Sequence, residues 1–116
     1  MFERHQTNDW IFKDGTSLAT YRDDDVFLYI YYDDDGVFAF SINRSIGASG
    51  KLQSTSWHRE HGFSDTIATP GPDPDLGQIE PCEPADRKQL AELIRGQGGQ
   101  LPERFRSTIL QVLEAE

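Results

Sequence analysis

The residues best suited to chemistry are His58-Arg59-Glu60-His61, followed by Asp65. Imidazoles three apart share a face on a helix, and Glu60 or Asp65 could then orient a ring or act as a base. Here the pair falls where a β-rich run gives way to a polar segment. The order also differs from H-E-x-x-H, in which glutamate follows the first ligand and the histidines lie four apart. His58 and His61, with His5 near the chain start, therefore stand as a metal-binding or acid-base alternative beside the plainer reading of polar residues at a sheet exit. Cys82 is the only cysteine, so an internal disulfide and any multi-cysteine metal site are excluded. Glu80 and Glu83 beside it disfavour the thiolate, so it is not read as a nucleophile. There is no glycine-rich phosphate loop between a strand and a helix and no G-x-S-x-G, and no cofactor is expected.

A second set of chemically distinctive residues is acidic. Asp14-Gly15, Asp23-Asp24-Asp25 and Asp33-Asp34-Asp35-Gly36 punctuate the first half of the chain. Aspartate is favoured in turns because its carboxylate bonds the backbone two residues on. The same carboxylates could also form a docking rim for lysine or arginine. In a meander alternate turns share an end, which groups Asp14 with Asp33, Asp34 and Asp35 and sends the other triplet to the far end. The two triplets are then about 23 Å apart at about 3.3 Å per residue, too far for one metal site. Asp33-Asp34-Asp35-Gly36 also lacks the alternating ligands and terminal glutamate of a calcium loop. At the far end Arg44 and Lys51 would balance Asp23 to Asp25, leaving one net acidic rim.

The whole chain carries the same bias. Its formal net charge is −9 over 116 residues, which repels nucleic-acid phosphates and favours a protein with a basic surface as partner. Val26 to Tyr32 is the longest apolar run, well short of the roughly 20 residues that span a bilayer, so no membrane is expected. The start of the chain does not read as a secretory signal, and with a lone cysteine the expected location is cytoplasmic.

The elements that must position these residues are legible in outline. Short β-rich runs at Trp10 to Lys13, Ser17 to Arg22, Val26 to Tyr32, Val37 to Asn43 and Lys51 to His58 are separated by turn signals, as in consecutive hairpins. In the third hairpin a four-residue loop pairs Tyr32 with Val37, Tyr31 with Phe38 and Tyr29 with Phe40. That register gathers Phe27, Tyr29, Tyr31, Phe38, Phe40 and Ile42 on one face, and leaves Val26, Leu28, Ile30, Val37 and Ala39 on the other. Residues 59–83 are rich in proline and glycine and read as a loop. Helical spacing follows at 84–96, with Leu90, Leu93 and Ile94, and at 102–115, with Phe105, Thr108, Ile109, Val112 and Leu113.

The expected fold is α+β: a single domain over 1–116, with an antiparallel β-meander of about five strands (8–58) packed against two C-terminal helices. The helices are expected on the aromatic face. The Val26, Leu28, Ile30 face is left for the 59–83 loop or for a second copy, which makes a homodimer conceivable through it. The leading functional expectation is a non-catalytic module that occupies a basic partner surface, in the physical manner of small inhibitors, immunity proteins or antitoxins. Asp14, Asp33, Asp34 and Asp35 would steer, and Tyr29, Tyr31 or Trp57 would anchor. The alternative is a small metal-binding protein or enzyme around His58 and His61.

Overall fold

The computed structural model of the chain describes residues 1–46, 50–69, 78–96 and 99–115. These contain eight strands, β1 (Glu3–Arg4), β2 (Trp10–Ile11), β3 (Ser17–Asp23), β4 (Val26–Asp33), β5 (Gly36–Ile46), β6 (Lys51–His58), β7 (Gly62–Thr69) and β8 (Gln78–Pro81). Two helices follow, α1 (Arg87–Arg95) and α2 (Glu103–Glu114). All strands join one antiparallel sheet in the order β1-β3-β4-β5-β6-β7-β8, and β2 shares the outer edge of β3 with β1. The α+β class and the meander are as expected. The strand count is larger, because the segment read as a loop contains β7 and β8 and the chain start adds β1; residues 70–77 between β7 and β8 lie outside the described residues.

The third hairpin departs from the expected register at one point. Tyr32 pairs with Val37, but Tyr31 pairs with Ala39 and Tyr29 with Ser41, so Phe38 is an extra residue in β5. Such a bulge sets two residues against one and inverts the inside-outside parity beyond it. Phe40 and Ile42 consequently leave the aromatic set and join Val26, Leu28 and Ile30. Side chains paired across antiparallel strands share a face, so this second face also takes Ala19, Tyr21, Thr55, Trp57, Phe63 and Asp65.

That is the face the helices cover, opposite to expectation. Leu28 and Ile30 are fully buried in one cluster with Leu90 and Ile94 of α1 and Phe105, Ile109 and Leu113 of α2. Each such side chain contributes about 1.5–3 kcal/mol on burial, which decides where the apolar stripes of the helices settle. The face considered for a homodimer is therefore buried within a single chain. Neither of the two described helices lies on the opposite face.

Capping defines where the helices begin. α1 starts at Arg87, after Pro84, because the Asp86 carboxylate accepts the Lys88 amide at 2.9 Å and the Gln89 amide at 3.4 Å. Between the helices the chain touches its own beginning: Gly99 bridges Phe2, and the Gln100 amide bonds the Phe2 carbonyl at 3.0 Å. Gly99 has φ +79°, and a Cβ there would lie 2.7 Å from the Phe2 carbonyl oxygen, so only glycine fits. No helix among the described residues is long and apolar enough to cross a membrane.

Candidate functional site: an open aromatic face with an acidic end

The helix-free face is built by the residues that alternate with the core set. From β3 and β4 it takes Leu18, Thr20, Phe27, Tyr29 and Tyr31, and from β5 and β6 it takes Ala39, Ser41, Asn43, Ser54, Ser56 and His58. Trp10, opposite Leu18, adds the edge. Six rings form a continuous ribbon. Trp10 lies 6.4 Å from Phe12, Phe12 stacks on Tyr31 at 6.4 Å, and Tyr31 meets Phe38 at 6.4 Å. Phe38 then meets His58 edge-on at 6.0 Å, and His58 lies 4.8 Å from His61. Exposure along it is uneven: Trp10 is 61% exposed and Phe12 37%, whereas Tyr29, Tyr31 and Phe38 are half-buried.

Beside the ribbon is a shallow cavity of about 400 Å³, with Tyr29, Tyr31, Ser41, Ser56, His58 and His61 in its lining. Its floor is polar. Ser54 donates to the Asn43 side-chain oxygen at 2.6 Å, Ser41 donates to the same oxygen at 3.2 Å, and Ser56 donates to Ser41 at 3.3 Å. An apolar wall over a few convergent hydroxyls is the usual composition of a binding surface.

The turns at one end of this face are those of Asp14, Asp33 to Asp35, and Arg59 to His61. Two of the aspartates are engaged in turn chemistry. Asp14 accepts the Thr16 hydroxyl at 2.7 Å and its amide at 3.0 Å, which together hold the Asp14 carboxyl below its ordinary range. Asp33 accepts the Asp35 amide at 2.8 Å, and Arg59 approaches it at 3.9 Å. Asp34 and Asp35 differ: both are exposed, and their carboxylates make no hydrogen bond or ion pair among the described residues. At the far end, Asp23 sits 2.9 Å from the Met1 ammonium.

Three sequence-based assignments change in three dimensions. Trp57 does not join Tyr29 and Tyr31; it faces the helices and stacks on Phe40 at 5.5 Å. Asp65 does not orient an imidazole. It points to the helix side, where Arg87 of α1 binds both of its oxygens and also lies 4.1 Å over the Phe63 ring. Burial alone would raise the Asp65 carboxyl, but Arg87, the Ala85 amide and the Thr55 hydroxyl outweigh it and hold it below the usual carboxylate range. His5 packs edge-on against Phe27 at 5.3 Å, apart from the other histidines.

No protein-family model, curated protein or solved structure matches the chain.

Trp10, Phe12 and Phe38 are site residues that sequence reasoning did not assign. Trp10 and Phe12 lie two apart, a spacing that puts both on one side of an edge strand, and that is the usable signal; Ile11 between them is exposed as well. Phe38 carried none, because its place depends on the bulge. Cations flank the rings: Arg59 lies 5.6 Å over Phe38, and Arg22 lies 5.4 Å over Phe27.

Proposed function

We propose that the chain is a non-catalytic binding protein that takes a basic surface of another protein onto its open aromatic face. The reading covers a small inhibitor, an immunity protein or an antitoxin as the biological class. The observation that carries it is the pairing of Asp34 and Asp35, whose carboxylates make no hydrogen bond or ion pair among the described residues, with an aromatic ribbon that neither described helix covers. Exposed tryptophan and tyrosine are the residues that most often anchor interfaces, and uncompensated carboxylates at the rim speed encounter with cations. A net charge of −9 extends that field over the molecule. Within this reading Tyr29 and Tyr31 supply the centre, Trp10 and Phe12 the edge, and Asp34, Asp35 and Asp14 the steering charge.

The test is selection of displayed peptides against the purified chain and against Trp10→Ala/Tyr31→Ala. Enrichment of arginine- or lysine-bearing sequences by the wild type, lost in the variant and mapped by amide shifts to β2, β4 and β5, is the expected outcome. Ligands that map to the helix side, or that bind both proteins equally, overturn the reading.

A further inference from the structure

His58 ends β6, and Glu60 and His61 sit in the three-residue turn that leads to β7. The turn is tied closely. The His61 amide donates to the His58 carbonyl at 3.1 Å, the Arg59 amide to the Phe38 carbonyl at 3.0 Å, and the Glu60 amide to His58 Nδ1 at 3.1 Å. Gly62, with φ +76°, closes it and pairs with His58 across the hairpin. This backbone draws the three side chains together: ligand atoms from His58, Glu60 and His61 all lie within 4.8 Å of one another. The two rings are 4.8 Å apart and inclined by 33°.

We propose that His58, Glu60 and His61 form a surface site for a divalent transition metal of the zinc class. Two imidazoles and a carboxylate select zinc, copper or nickel over calcium and magnesium, which take oxygen ligands. Tetrahedral zinc bonds of about 2.0–2.2 Å place ligand atoms about 3.3 Å apart, so the present spread must close by about 1.5 Å. Side-chain rotation of the exposed Glu60 and His61 covers that distance. His58 is held from behind by the edge of Phe38, and its Nδ1 accepts the Glu60 amide. Coordination through Nδ1 gives up that hydrogen bond, so the affinity falls below that of a buried structural site. The turn of Asp34 and Asp35 lies at the same end of the sheet and adds negative potential, set against the positive charge of Arg59 within the site's own turn. The remaining coordination positions face outward, open to water or to a donor on another molecule. This inference stands on the turn geometry and is independent of the docking proposed above.

Calorimetric titration of the chelator-treated full chain with zinc chloride, in a non-coordinating buffer, decides it. One zinc per chain is expected, with binding weakened at least about tenfold by His61→Ala and by His58→Gln, and by less in Glu60→Gln. His5→Ala is expected to bind as the wild type, and magnesium or calcium in place of zinc to give no saturable heat. His61 is exposed, so its variant keeps the wild-type far-ultraviolet dichroism. In the imidazole proton spectrum, zinc should shift the His58 and His61 signals and leave His5 in place. Absence of saturable binding, or undiminished binding by folded His61→Ala, overturns the proposal.

Discussion

Arg87 of α1 grips Asp65 of β7 with both arms of its guanidinium, Nη1 to Oδ1 at 3.0 Å and Nη2 to Oδ2 at 2.7 Å. The carboxylate is 5% exposed and also accepts the Thr55 hydroxyl at 2.8 Å and the Ala85 amide at 3.2 Å. Helix and sheet are thus joined through a charge on the core face. Removing one partner strands the other: Asp65→Ala or Arg87→Ala should cost about 3–5 kcal/mol, read as a fall in the urea midpoint.

The same carboxylate makes stability depend on acid. Its folded pKa is depressed, so its contribution is complete above the unfolded value of about 3.9 and is lost as pH falls through the lower folded value. Urea transitions between pH 2 and 6 should steepen their loss of stability below about pH 4 in the wild type. In Asp65→Asn that component should be absent, leaving a less stable protein with a flatter profile.

Thr20 is 4% exposed, and its hydroxyl has no hydrogen-bond partner among the described residues. A buried, unsatisfied hydroxyl costs about 1–3 kcal/mol, and valine has nearly its shape. Thr20→Val should therefore stabilise the protein by about 1 kcal/mol, measured by thermal or urea unfolding. An equal loss of stability would mean that the hydroxyl has a partner in solution.

The acidic turns divide into two kinds, and substitution should separate them. Asp33→Ala removes the bond to the Asp35 amide and should cost about 1 kcal/mol, while Asp14→Ala should lower the melting temperature by losing Thr16. Asp34→Lys and Asp35→Lys should leave the melting temperature within about 2 °C, because no contact is lost. If the docking reading holds, these two slow association with a basic partner and weaken its salt dependence, as stopped-flow measurements would show.

Deleting Phe38 removes the extra residue and leaves the pairs Tyr32 with Val37, Tyr31 with Ala39 and Ile30 with Phe40 as a regular ladder, so Phe40 and Ile42 stay on the core face. A retained cooperative urea transition is the expected result. Inserting one alanine after Ala39 instead should put Phe40 and Ile42 out of register and abolish that transition, and an insertion variant with the wild-type midpoint would show that the β5 register is set elsewhere.

Local chemistry was readable along the chain. The first three hairpin turns lie where aspartate and glycine mark them, with Asp24 at φ +54° and Gly36 at φ +115°. The stripes Leu90, Ile94 and Phe105, Ile109, Leu113 pack where helical spacing puts them, because such signals act within a few residues. β7 was missed because its inward positions are Phe63, Asp65 and Ile67. A charge in the middle breaks the apolar pattern, and the arginine that satisfies it lies 22 residues away.

The sequence by itself determined an acidic α+β chain with a meander, its first turns and its two amphipathic helices, all consequences of short-range preference and composition. Tertiary structure alone decided which face of the sheet the helices cover. Strand parity has a period of two, so the single extra residue at Phe38 exchanges inside for outside and hands Phe40 and Ile42 to the core. It also decided that Trp57 and Asp65 belong to the packing of the helices, while Trp10, Phe12 and the His58, Glu60, His61 turn belong to the open face. The assignments of Trp57 and Asp65 depend on contacts between elements far apart in the chain, which no local pattern encodes.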